Sequence, residues 1–261
     1  MATLPTTPED LLPERADEAR ALVAEASAGK LTAERRDRVR QRALADIPWW
    51  YNPWAHLAAT TGIGLVTLAI SAAMLATRLP PSATDWLVVP GVCLLANFFE
   101  WRVHKHVLHR RRWPLTYIYD QHTPMHHVVY VEEDMALRSV SEFRLVLIPA
   151  AGVLGIVVAA APFAWAVGHF GSAAAGWLFL VTASSYLVTY EVLHLCYHAP
   201  PSTRIGRSRV IRFLARWHTK HHDPRFMQRW NFNVIFPLFD YVLGTMAGDD
   251  PHDRRRYFHW R

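Results

Sequence analysis

The chain has 261 residues, of which 51% are hydrophobic, and it carries a formal net charge of +6. A basic chain suggests nucleic acid or an anionic membrane as its partner. Its long apolar runs favour the membrane and argue against nucleic acid. The mean hydropathy of +0.03 conceals a division between very apolar and very charged stretches. Two cysteines are too few for a disulfide framework, which fits a reducing compartment.

The first 47 residues are polar, rich in alanine and charged. Thr7, followed by a proline and two acids, predicts a helix start, and Gly29 predicts its stop. Thr32 predicts the cap of a second helix, which should end before Pro48. We expect a cytosolic helical segment over residues 1–47 that rests on a main membrane domain of residues 48–261.

Four apolar runs follow an aromatic cluster at residues 49–54, as expected where a bilayer has its headgroups. At 1.5 Å per residue, about 20 helical residues cross a hydrocarbon layer of ~30 Å. The sequence therefore predicts an all-α integral membrane protein with four transmembrane helices in two hairpins. The predicted spans are residues 56–79, 86–99 with a helical continuation to 109, 145–170 and 173–195.

Ten histidines in four tight clusters carry the chemistry. Imidazole is the commonest protein ligand for iron, zinc and copper, and one metal rarely takes more than six ligands. Ten histidines therefore predict two metal ions. A tight hairpin separates the second cluster from the third, so all four should emerge on one side as a di-metal cap. The clusters are His104 and His109 (H-x4-H), His122, His126 and His127 (H-x3-H-H), His194 and His198 (H-x3-H), and His218, His221 and His222 (H-x2-H-H).

Helical geometry suggests how the clusters divide between two metals. Each α-helical residue advances about 100°, so His104 and His109 should lie about 140° apart and serve different metals. His194 and His198 share a face and can serve one metal or both. Adjacent histidines diverge, so each doublet suits two metals. Five histidines lie outside the pattern, and we expect structural or surface roles for them: His56, His106, His169, His252 and His259.

Acidic residues near the clusters are candidates for hydrogen bonds to the outer ring nitrogens. Glu100 lies one turn before His104, and Glu191 lies three residues before His194. Asp240 is a third candidate, and Asp120 and Asp223 are others. The alternative is that each acid pairs with a neighbouring arginine, and the sequence favours neither.

Basic residues predict the orientation. The stretches 35–42, 102–112 and 204–216 share the side of the histidines, while the opposite turns carry little beyond Arg78. The positive-inside rule therefore predicts a cytoplasmic metal site and cytoplasmic termini. The composition favours a bacterial inner membrane.

The order of the four clusters resembles the fatty acid hydroxylase/sterol desaturase superfamily of membrane di-iron oxygenases. The stretch from Glu100 to His104 is similar to the family's lead into its first histidine motif, and the stretch from Asn231 to Thr245 is similar to its closing segment. The resemblance covers roughly residues 50–247. It implies two iron ions held by the ten histidines, with O2 as co-substrate. One departure is the second cluster, which has three residues before its doublet where the lipid 2-hydroxylase branch typically has two.

The resemblance also implies a reaction, the hydroxylation of an unactivated C–H bond in a membrane lipid or acyl chain. Desaturation on the same centre is an open alternative. A non-redox metal-binding or transport protein is less favoured, because the central parts of the spans carry no ionisable ligand. The chain has no fused cytochrome b5 domain, so we expect a separate ferredoxin or cytochrome b5-like donor with its reductase. Zinc can replace iron in such a site during purification.

Overall fold

The computed structural model describes residues 13–247, with side chains from residue 17 onward. The protein is mostly helical (70%), and the described residues contain no strand. The helix start predicted at Thr7 lies outside the described residues. The all-α class predicted from the sequence is confirmed.

Two short helices, α1 (Pro13–Ser27) and α2 (Ala33–Ala45), form a hairpin ahead of the first span. Thr32 caps α2 as predicted, because its hydroxyl accepts a hydrogen bond from the amide of Arg35 at 3.3 Å. Gly29 lies in the connecting turn with φ of 66°, a conformation that glycine adopts without steric cost. Ala43 of α2 packs into an apolar cluster that belongs to the main body of the protein.

Within the described residues, four helices are long and apolar enough to cross a membrane: α3 (Pro53–Thr77), a helical segment (Asp85–Leu108) whose α-helical part is α4 (Val88–Val103), α8 (Ala150–Phe170) and α9 (Ala173–Tyr197). Asn52 caps α3 by accepting from two backbone amides at 2.9 and 3.0 Å. Trp49, Trp50 and Trp54 beside this cap are largely exposed, which agrees with the predicted headgroup position.

Helix α9 is the most buried of the four spans and packs against α3, α4 and α8. Glycine permits two of these approaches. A Cβ added to Gly64 of α3 would lie 2.6 Å from Val188 of α9. A Cβ added to Gly176 would lie 2.9 Å from the Cα of Gly168, where α8 and α9 meet at their hairpin. Small residues that let backbones approach are typical of helix packing within membranes.

The third span begins later than predicted, at residue 150 instead of 145. Proline at position 149 ends the preceding turn, because it restricts the residue before it to extended conformations. Residues Phe143–Val146 consequently form a separate helix, α7. The freed amide of Ile148 donates to the Glu191 carboxylate at 3.3 Å.

The remaining short elements cap one end of the four spans. Two of them are π-helical turns, His104–Leu108 after α4 and His122–His126. The other helices are α5 (Thr116–Gln121), α6 (His127–Val129), α10 (Arg204–Arg207), α11 (Arg209–His221) and α12 (Leu238–Val242). The ten clustered histidines lie in this cap or on the adjoining ends of α4 and α9.

Candidate metal centre

The structure brings all ten clustered histidines together in two groups of five. Within each group, the potential ligand nitrogens all lie within 4.8 Å of one another. Nine of the rings are buried, and His122 is half-buried. The first group is His104, His109, His122, His127 and His221, and the second is His126, His194, His198, His218 and His222.

Both histidine doublets divide between the groups as predicted. His127 belongs to the first group and His126 to the second, while His221 belongs to the first and His222 to the second. The rings of His127 and His222 stack at the boundary, with centroids 4.2 Å apart. The two groups are therefore neighbours.

The expectation that His104 and His109 serve different metals was wrong, because both lie in the first group. The turn that joins them is π-helical, and the amide of His109 donates to the carbonyl of His104 at 3.1 Å. An i to i+5 hydrogen bond places residues five apart on one face, whereas an α-helix would separate them. The second π turn does the same for His122 and His127, which are also five residues apart.

Backbone carbonyls, not acids, orient half of these ten rings. In five rings the Nδ1–H group donates to a main-chain oxygen, which fixes both the ring plane and the tautomer. These bonds run from His104 to Phe232, from His126 to Leu145 (2.9 Å), from His198 to Met135 (2.8 Å), from His221 to Trp230 (2.7 Å) and from His222 to Tyr130 (2.8 Å).

A sixth ring is oriented by a hydroxyl group that was not among the site residues predicted from the sequence. Thr123 is fully buried, and its hydroxyl donates to the carbonyl of Leu108 at 2.6 Å. The same oxygen therefore accepts from His109 Nδ1, which lies 3.1 Å away. The only signal in the sequence is that Thr123 directly follows a cluster histidine.

The ring nitrogens that converge inside the first group are suited to bind a metal ion. A carbonyl oxygen cannot donate, so each ring bonded to one through Nδ1 presents an unprotonated Nε2. Those of His104 and His221 lie 3.0 Å apart, and those of His221 and His109 lie 2.9 Å apart. Lone pairs that face each other at this distance repel unless a cation lies between them. Two ligands at right angles on metal bonds of ~2.1 Å would be separated by about 3.0 Å.

The second group presents the same chemistry. Its Nε2 atoms from His126, His194 and His198 are buried and have no hydrogen-bond partner among the described residues. Buried polar atoms are nearly always paired, so unpaired atoms that converge indicate a missing ligand. The residues of both groups therefore fit a bound metal ion.

Electrostatics keeps the rings available as ligands. Burial lowers the pKa of His198 from its usual 6.5 to about 4. Burial, reinforced by neighbouring imidazoles, also lowers the pKa of His109, His122, His127 and His218 well below that value. Near neutral pH these rings are unprotonated, which is the state that binds metal.

Glu100 and Asp240 hold the closing segment instead of a histidine ring. Glu100 accepts hydrogen bonds from Tyr186 and from the amides of residues 234 and 235. Asp240 accepts from the amides of Phe232 and residue 233 at 2.9 and 2.7 Å. Their influence on the site is indirect, because the carbonyl of Phe232 receives the Nδ1–H of His104.

The other acids also bond away from the rings. Glu191 is buried and accepts only the long bond from Ile148, and its second oxygen has no partner among the described residues. Asp120 pairs with Arg111 at 2.9 Å, and Asp223 pairs with Arg225. The predicted hydrogen bonds from acids to outer ring nitrogens are replaced by the carbonyl bonds, and for Asp120 and Asp223 the arginine pairing is correct.

The three described histidines outside the clusters do not join either group. His56 bridges the Tyr51 hydroxyl and the carbonyl of Ile148 at the start of α3. His106 lies against Trp101, and His169 stacks on Trp165. The last two, His252 and His259, lie outside the described residues.

A family model described as fatty acid hydroxylase matches residues 89–245, more than half of the chain. The chain belongs to the fatty acid hydroxylase family. No curated protein and no solved structure matches it. The matched region begins in α4 and includes all ten clustered histidines. The resemblance drawn from the histidine order is thereby confirmed, and this fatty acid hydroxylase family member is an enzyme of a metal-dependent oxygenase or desaturase type whose family implies a lipid or acyl substrate.

Proposed function

We propose that the protein is a membrane-bound di-iron monooxygenase that hydroxylates an unactivated C–H bond of a lipid or acyl chain. The observation that carries this proposal is the pair of five-histidine groups, whose unprotonated nitrogens converge at two adjacent points. In this proposal each group holds one iron ion. Neutral ligands leave the full positive charge on the metals, which stabilises the ferrous state.

Bound iron would supply the reductive activation of O2 and the removal of hydrogen from carbon. The balanced reaction consumes one O2, two electrons and two protons, and it yields the alcohol and water. The protein's own part is to orient the rings, six of them through hydrogen bonds at Nδ1, and to exclude bulk water by burying them. His122 is the ring of the ten that retains solvent exposure, so the first group is the more accessible.

A substrate from the bilayer is supported by the position of the groups on the spans. His104 directly follows α4, and His194 lies on the last turn of α9 before His198. Both helices are apolar over most of their length. These ligands therefore adjoin apolar spans, and we infer that an acyl chain reaches them from within the membrane.

The orientation and the electron supply form part of the proposal. The basic stretches support a metal centre and termini on the cytoplasmic side, and the membrane that we propose is a bacterial inner membrane. A separate ferredoxin or cytochrome b5-like protein, with its reductase, delivers the electrons. Residues 1–47 act as a cytosolic segment beside the membrane domain.

The basic stretch at residues 204–216 can receive an acidic donor or anionic lipid headgroups. The structure adds that Val210 and Phe213 of α11 are largely exposed between its arginines. Arg216 also covers the ring of Phe213 at 3.7 Å. Exposed apolar side chains interleaved with arginine are typical of a helix lying in the membrane interface, which favours the lipid contact.

The test is turnover by purified protein in lipid vesicles, with reduced ferredoxin or cytochrome b5 and the matching reductase. We expect a product that gains one oxygen atom, derived from oxygen-18 gas, and that requires the donor for more than one turnover. A product that has only lost two hydrogens would assign desaturation. Sustained turnover without any reductant would contradict monooxygenation, and wild-type activity in His194→Ala would contradict the metal assignment.

A further inference from the structure

Arg40 of α2 is buried in the cap although it belongs to the N-terminal hairpin. Its side chain is 2% exposed. One guanidinium nitrogen donates to the Glu142 carboxylate at 2.8 Å, and another donates to the carbonyl of Val129 at 3.2 Å. Arg40 lies outside the matched family region of residues 89–245, so the histidine motif does not account for it.

Glu142 joins this arginine to the chain that follows the second histidine cluster. Its fully buried carboxylate also accepts from the Tyr130 hydroxyl at 2.8 Å and from the amide of Arg138 at 3.3 Å. A second link lies beside it, because Arg138 bridges Asp134 and Asp37 of α2, each at 2.9 Å. The loop of residues 130–142 is thus held to α2 at several points.

That loop supplies two of the carbonyls that orient the second histidine group. The carbonyl of Tyr130 accepts from His222, and the carbonyl of Met135 accepts from His198, each at 2.8 Å. The Tyr130 ring also lies against His198, with centroids 4.7 Å apart. Arg40 therefore reaches the second group through Glu142 and Tyr130.

A purely stabilising role would not explain the choice of residues. The desolvation of a buried ion pair largely cancels its attraction, so apolar side chains would stabilise this position at least as well. A planar guanidinium that bonds two acceptors at fixed angles instead sets the geometry of the groups around it.

We propose that Arg40 is a positioning residue for the second metal site, through which α2 fixes the loop that orients His198 and His222. This inference rests on the metal binding in the proposed function. It predicts that the N-terminal hairpin controls the affinity of one site and not of the other.

The experiment measures metal content and chelator competition for full-length Arg40→Ala, with Arg42→Ala as the matched control. Arg42 lies on the same helix in an exposed pair with Glu18 at 3.0 Å. Lost support of a ligating histidine typically lowers metal affinity 10–100-fold. We expect that loss at one of two ions in Arg40→Ala, and wild-type values in Arg42→Ala. The metal affinity of Arg40→Lys should fall between those of the two variants, because lysine keeps the positive charge but lacks the planar guanidinium that bonds two acceptors.

The affected site is identified by combining Arg40→Ala with a ligand change in either group. With His109→Ala, which disables the first group, almost all metal should be lost. With His194→Ala, which disables the second group, the result should equal that of His194→Ala alone. Compared with the cobalt-substituted wild type, cobalt-substituted Arg40→Ala should show an altered absorption spectrum only when its second group holds cobalt.

Two outcomes would overturn the inference: wild-type affinity at both sites in Arg40→Ala, whatever its unfolding temperature, or equal losses at both sites. If Arg40→Ala does not fold, Arg40→Lys and Glu142→Gln carry the same comparison. A wild-type protein that binds no metal would instead contradict the proposed function.

Discussion

Replacing Thr123 by valine should weaken the first metal site without touching a ligand. Valine keeps the shape of threonine but removes the hydroxyl that accepts from His109 and donates to Leu108. His109 is then left buried and unpaired, at a cost of about 1–3 kcal/mol to the folded state, and the half-buried Leu108 carbonyl also loses its donor. The freed His109 ring should also lower metal affinity 10–100-fold at the first group.

The assay is chelator competition on the purified protein together with its unfolding temperature. Thr123→Ser is the matched control, because it retains the hydroxyl and loses only a methyl group. It should bind metal as the wild type does, with a smaller loss of stability. Wild-type affinity in Thr123→Val would refute the reasoning that a buried hydroxyl orients this ring.

Asp240→Asn should lower both the unfolding temperature and the metal affinity of the first group, because the new NH2 group would face a backbone amide that now donates to the carboxylate. Loss of one such charged hydrogen bond costs about 1.5–3 kcal/mol. Unchanged metal binding would contradict the link to His104. Acidification from pH 7 to pH 4 should release metal and destabilise the fold. The folded-state pKa of His198 is about 4, below its usual 6.5, so its contribution is present above pH 6.5 and is lost as the pH falls. That contribution to the free energy of unfolding is about 3 kcal/mol. Metal content and unfolding free energy, both measured along a pH titration, check the two expectations. In a background without Cys93 and Cys196, Ala83→Cys should react with an impermeant reagent outside the cell and Lys30→Cys should not, and the reverse would overturn the cytoplasmic assignment.

The spans were predictable because a membrane imposes a length and a composition that the sequence displays directly. The structure moves the first span by two or three residues and extends the fourth from residue 195 to Tyr197. The start of the third span was predicted too early, because the apolar run already begins at Leu145 whereas the spanning helix begins at residue 150. The proline at position 149 is the feature of the sequence that marks the later start.

The membership of the two metal groups was only partly predictable. Adjacent histidines diverge in any helical conformation, so the division of the doublets followed from spacing alone. The pairing of His104 with His109 depends on a π turn, which no residue type in this stretch announces. A spacing of five between cluster histidines occurs twice, at His104 and at His122, and both times the structure closes it with an i to i+5 bond. The repeated spacing was the available signal.

The support of the ligands was hidden from the sequence for a more general reason. Five rings bond to carbonyl oxygens, and every residue has a carbonyl, so no side-chain pattern marks the ones that are used. What the sequence does encode is the set of side chains that hold those carbonyls in place. Asp240 holds the segment that presents the carbonyl of Phe232, and Glu142 with Arg40 holds the loop that presents those of Tyr130 and Met135. Buried charged residues far from the histidines are therefore where substitutions should alter metal binding with every ligand intact.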